Sequence, residues 1–69
     1  YTLESIERAI TSKEGAINAL KMAIGMAESA GDSPEKIEKL KEELAKEQQE
    51  LERLRQIKAE LEAQAQQQK

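Results

Sequence analysis

The stretch Ala30-Gly31-Asp32-Ser33-Pro34-Glu35 constrains the fold more than any other, because it is the one strong interruption in the chain. Gly suits the position just past a helix C-terminus, Asp or Ser caps the helix that follows, and Pro suits a first helical position. On either side of it the apolar residues recur at steps of three and four, the period of a helix and not the alternation of a strand. Before the turn these are Leu3, Ile6, Ile10, Ile17, Leu20, Ile24 and Ala27, with Lys13 filling one slot. After it they are Ile37, Leu40, Leu44, Leu51, Leu54 and Leu61, with Glu47 and Lys58 in the vacancies. Both stripes are heptad-like, which implies gently supercoiled packing. A short connection forces neighbouring helices to run antiparallel. The expected fold is therefore all-α, an antiparallel two-helix hairpin of coiled-coil type. Its predicted parts are a helix over residues 2–30, a turn at 31–33, a second helix over 34–64 and a polar, fraying tail at 65–69.

Folding the chain at the turn brings Leu40 to Ile24, Leu44 to Leu20, Leu54 to Ile10 and Leu61 to Leu3. The same register sets Glu43 beside Lys21 and Lys58 near Glu7. The large residues of the two stripes are the expected hairpin core. Lys13, Glu47 and Lys58 interrupt it. Polar residues in core slots of coiled coils specify register or subunit number at a cost in stability; the alternative is an open edge where Lys stems snorkel to solvent. On the outer side of the second helix, Glu35 to Lys39 and Glu42 to Lys46 are favourably spaced pairs, and the charge run reads as a solvated face.

Composition excludes several classes of function. With no Cys and no His, a disulfide staple, a thiolate or imidazole metal site and a Cys- or His-based nucleophile and base are ruled out, so no metal and no cofactor is expected. The missing cysteines fit a reducing compartment. Eleven basic against fourteen acidic residues, a net charge of -3, argue against a nucleic-acid partner. Tyr1 is the only aromatic residue, too few for base-stacking platforms or cation cages. Carboxylate pairs such as Glu42 and Glu43, or Glu60 and Glu62, need a desolvated cleft to work as acid and base, and a two-helix hairpin offers none. No catalytic residue and no enzymatic activity is expected. A membrane span needs about 20 mostly apolar residues, which residues 15–27 with Lys21 in their midst do not supply. The first residue is not Met and nothing near it resembles a signal peptide, which suggests a fragment or a processed piece.

Against this background one stretch stands out. Residues 15–31, GAINALKMAIGMAESAG, carry only Lys21 and Glu28 as charges in a chain that is 36% charged. At about 100° per residue, the large apolar residues of the first helix fall on one side and a second, small-residue set lies beside them. Ala9, Ala16, Ala23 and Ala30 repeat every seven residues, Gly15, Ala19, Ala23 and Ala27 every four, and Met22 and Met26 lie past that ridge. The resulting apolar arc exceeds what one partner helix can cover. Small residues on such rows let two backbones approach, and Met fills the irregular gaps around them. Gly15 and Gly25 each cost a helix about 1 kcal/mol relative to Ala, for which close packing or a functional kink would compensate. A chain this short also usually needs a staple or a partner to hold a fold. The expected intermolecular contact is thus Gly15, Ala16, Ala19, Met22, Ala23, Met26, Ala27 and Ala30, with Ala27 falling on both this face and the core stripe.

Residues 32–63, DSPEKIEKLKEELAKEQQELERLRQIKAELEA, with the preceding Gly, resemble de novo designed helical hairpins and coiled-coil bundles: a Gly-Asp-Ser-Pro turn, Leu in heptads, and Glu, Lys and Arg on the surface. The first helix departs from that style at Thr11, Ser12, Gly15, Gly25 and its two Met residues, uncommon choices in idealised designs; a natural coiled-coil fragment or a chimera stays open. With the uncovered Ala and Met face, the first functional class expected is a structural self-assembly module, a homo-oligomeric multi-helix bundle of hairpins with itself as partner. The alternative is a heterotypic binder offering the Ala and Met face to an amphipathic helix of another protein, similar in size and outline to the small hairpin chaperones and needle-type subunits of secretion systems. A membrane-surface helix would want basic residues flanking the apolar face, and few are there. A Rop-like RNA-binding hairpin dimer shares the architecture but not the charge.

Overall fold

The computed structural model describes residues 1–67, with side chains through residue 65. It is a hairpin of two α-helices, α1 over Leu3–Ala30 and α2 over Pro34–Gln67, packed along each other into a rod of 57 × 14 × 13 Å. No strand occurs among the described residues.

Local chemistry explains where each helix starts and stops. Thr2 caps α1 through a reciprocal pair: the Ser5 amide donates to Thr2 Oγ1 at 3.1 Å, and the Thr2 amide donates to Ser5 Oγ at 2.9 Å. This is a capping box with Ser in place of the usual Glu or Gln. The helix ends at Gly31, which takes the left-handed conformation with φ of 71°, favoured by a residue without Cβ. The Asp32 amide donates to the Ala27 carbonyl at 3.0 Å and the Gly31 amide to the Glu28 carbonyl at 3.2 Å, satisfying carbonyls that a helix end otherwise leaves open. Two residues later Ser33 begins α2: its carbonyl accepts from the amides of Lys36 and Ile37, its hydroxyl from Lys36 at 3.4 Å, and Pro34 takes the position where a missing N–H costs nothing.

The expected end of the second helix needs correction. Residues 65–67, assigned from sequence to a fraying tail, lie within α2, which runs to Gln67; Ala and Gln are good helix formers and nothing there breaks the helix. Residues 68–69 of that tail lie outside the described residues.

The seam between the helices holds the apolar stripes. Ile6 is fully buried, and Ile17, Ile24, Ala27 and Leu51 are buried with it. Leu3, Ile10, Leu20, Ile37, Leu40, Leu44, Leu54 and Leu61 are half-buried, as two helices alone leave the flanks of a seam open to water. Ile57 is half-buried too, a seam position that the stripe as read passed over. Ala27 corrects the intermolecular assignment. With 7% of its surface exposed, it is covered by the hairpin itself, because it continues the seven-residue column of Ile6, Lys13 and Leu20 into the seam.

Candidate assembly face and the polar layer

The charges of α1 are sorted by face. Glu7, Glu14, Lys21 and Glu28 recur every seven residues on one flank, within reach of α2: Arg55 approaches Glu14 at 3.4 Å and Lys41 approaches Glu28 at 3.9 Å. Glu7 and Lys58 line one groove together with Glu14 and Arg55. Neither Glu7 with Lys58 nor Lys21 with Glu43 closes an ion pair, and the pairs that do form between the helices depart from the expected register by up to about one and a half helical turns. The pairs Glu35–Lys39 and Glu42–Lys46 on α2 are likewise open; the ion pair formed within a helix among the described residues is Glu4–Arg8, at 2.7 Å.

What remains on the outer side of α1 is a strip from Thr11 to Ala30 with no charged residue. Gly15, Ala16, Ala19, Met22, Met26 and Ala30 are exposed there, and Ala23 at the edge is half-buried. Met22 and Met26 keep 68% and 69% of their surface. A shallow, mainly apolar depression is framed by Met22, Gly25, Met26, Ser29 and Ala30. A Cβ placed on Gly15 or Gly25 would meet nothing within 4 Å. Neither glycine is therefore required by close packing inside the hairpin, and both lie within one uninterrupted helix.

The polar residues assigned to register sit in the seam and its edges, with Lys13, Glu47 and Lys58 all half-buried. Lys13 reaches across to two carboxylates of α2. Its Nζ lies 2.7 Å from Glu47 Oε2 and 2.6 Å from Glu50 Oε2. The contact with Glu50 has hydrogen-bond geometry; Glu47 Oε2, shielded from water, is held by the charge contact without an aligned hydrogen bond. The side chains of Lys13 and Glu47 retain only 24% and 29% exposure, so solvent screens this pair less than the other bridges. The Glu47 carboxylate, followed by Glu50, raises the Lys13 ammonium above its usual range, and Lys13 holds the Glu50 carboxyl below its own. The individual residues of this triad were legible as polar core slots; their pairing was not, although two opposite charges in facing core slots are a usable signal. Lys58 takes no part in it.

The described residues contain no group of three or more acidic side chains placed to hold a metal ion, and no helix long and apolar enough to cross a membrane. Comparison with protein-family models, curated proteins and solved structures finds no match.

Proposed function

We propose that the chain is a structural self-assembly module that homo-oligomerises through the outer strip of α1. The observation that carries this reading is the exposure of Met22 and Met26, 68% and 69%, inside a strip without charge. Contiguous apolar patches on small soluble chains mark interaction sites more often than they mark nothing, and here small residues leave room for a second backbone beside them. The polar layer at Lys13 supplies the complementary property: it makes the seam specific to the helix that carries Glu47 and Glu50, leaving the outer strip as the generic apolar contact.

Ala23→Glu places a charge at the crossing of the seven-residue and four-residue rows. Ala23 is half-buried within the hairpin, so Ala19→Glu, at an exposed position, is the cleaner companion. Both variants should weaken association by at least about tenfold, which is about 1.4 kcal/mol, while Ala19→Ser stays close to the parent. Solution mass by light scattering and helicity by circular dichroism read the result. Unchanged mass and helicity in Ala19→Glu would mean that the strip faces solvent in the native state.

A further inference from the structure

The strip is not uniform along its length, and that asymmetry says how a second copy fits. Its N-terminal half is built from Ser12, Gly15 and Ala16, its C-terminal half carries Met22 and Met26, and Ala19 lies midway between them. We propose that two copies pair α1 against α1 in antiparallel orientation, about a two-fold axis passing beside Ala19, an inference that rests on the homo-oligomeric reading above. In antiparallel helices, residues on the same flank of the contact meet. Turning one α1 end for end about Ala19 sets Met22 of each copy over Gly15 of the other, Met26 over Ser12 and Ala23 over Ala16. Every bulky side chain then finds a small one, and Gly15, for which the hairpin itself has no packing use, becomes the floor on which a methionine rests.

Charge complementarity selects the same orientation. Arg8 lies in line with the strip near its N-terminal end. Its partner is Glu4, and the side chains of the pair keep 77% and 79% exposure, so little is lost by turning the guanidinium elsewhere. The other end of α1 has no basic residue in its last turn and is followed by Asp32 beside the partial negative charge of the helix C-terminus, while Glu28 faces away, toward Lys41 of α2. The antiparallel pair brings Arg8 of each copy to that end of the other. A parallel pair would align the two helix dipoles, set Arg8 beside Arg8, and leave the Gly15 halves facing each other across a gap.

The chain contains no cysteine, so single-cysteine variants report the geometry directly through disulfide formation, which needs Cα atoms about 4.4–6.8 Å apart. Ala19→Cys, lying at the axis, should cross-link to itself at least about tenfold faster than Gln49→Cys, an exposed control on α2. Met26→Cys alone should react at the control rate, while a mixture of Ser12→Cys and Met26→Cys chains should give the mixed dimer. If Met26→Cys cross-links to itself as fast as Ala19→Cys, the pair is parallel: the orientation proposed here is overturned and self-association through the strip survives. Cross-linking at the control rate throughout, with a dimeric mass, would move the interface elsewhere and overturn the proposal. A monomeric mass with no cross-linking would overturn the homo-oligomeric reading itself.

Discussion

The outer surfaces of α1 and α2 differ as much as two helices sharing one seam can. Both contribute an apolar stripe, with Ile6, Ile17, Ile24 and Ala27 buried on α1 and Leu51 buried on α2 beside the half-buried Leu40, Leu44 and Leu54. Away from the seam α2 is covered by Lys, Glu, Gln and Arg; Lys39, Glu42, Glu43 and Lys46 make up one continuous stretch of it. The corresponding side of α1 offers Gly15, Ala19, Met22 and Met26. The seam accounts for the hairpin, since it explains the stripes, the turn and the ion pairs between the helices. It does not account for the outer side of α1, where a residue pattern as polar as that of α2 would have served a lone hairpin better.

The largest effect belongs to the seam that both helices share. Ile6 is fully buried, and Ile6→Ala should cost about 2–5 kcal/mol, enough to unfold a marginal hairpin, whereas Gln49→Ala on the outer side of α2 should stay within about 0.5 kcal/mol. Thermal or urea unfolding at fixed protein concentration measures both. Similar losses for the two would erase the distinction between seam and surface.

The polar layer should write itself into the pH dependence. Lys13 has a folded pKa raised from 10.5, so its contribution is full below that value and fades as pH climbs from it toward the raised one. Glu50 has a folded pKa lowered from 4.5, so its contribution is full above that value and fades as pH falls through the lowered one. The stability difference between the parent and Lys13→Met should therefore be greatest between about pH 5 and 10 and shrink on both sides. A difference independent of pH would mean that the ammonium is not coupled to the α2 carboxylates.

The two exposed glycines sharpen the comparison with the smallest and most informative effect. Gly25 points to the margin of the strip and Gly15 into it. In an uncovered helix both Gly→Ala changes would stabilise by about 1 kcal/mol or less. Gly25→Ala should do so, raising the melting temperature without altering mass, while Gly15→Ala should weaken association because its methyl group takes space that the partner's Met22 needs. Equal stabilisation by both would place Gly15 in solvent.

Much of the hairpin could be read from the sequence because its signals are local and chemical. Gly31, Ser33 and Pro34 each carry a conformational preference that acts within one or two residues, and the stripes follow from helical geometry alone. The N-terminus of α1 was less legible: Thr2 and Ser5 form the capping box, yet Ser at the third helical position is a weaker signal than Glu or Gln. The end of α2 is not legible from polarity, since the helix propensity of Ala and Gln carries the chain on to Gln67. Ile57 was within reach, three residues after Leu54 and four before Leu61, but Lys58 competes for the same slot and both end half-buried. Ala27 matched two faces equally well by spacing. On a straight helix the column of Ile6, Lys13 and Leu20 drifts about 20° per heptad toward the outer strip, so the burial of Ala27 depends on how the two helices wind together, which spacing alone does not give. The ion pairs were the least legible, since long flexible side chains choose among several neighbours within a turn of each other.

Coverage of the uncharged strip of α1 by another copy of the chain is read from the solution molar mass of the unaltered protein over a range of concentrations. The expected mass is at least twice the 7.7 kDa of one chain, falling toward one chain on dilution and on Ala19→Glu substitution with helicity tracked in parallel. A mass of one chain at every concentration, with the helices intact, would contradict it.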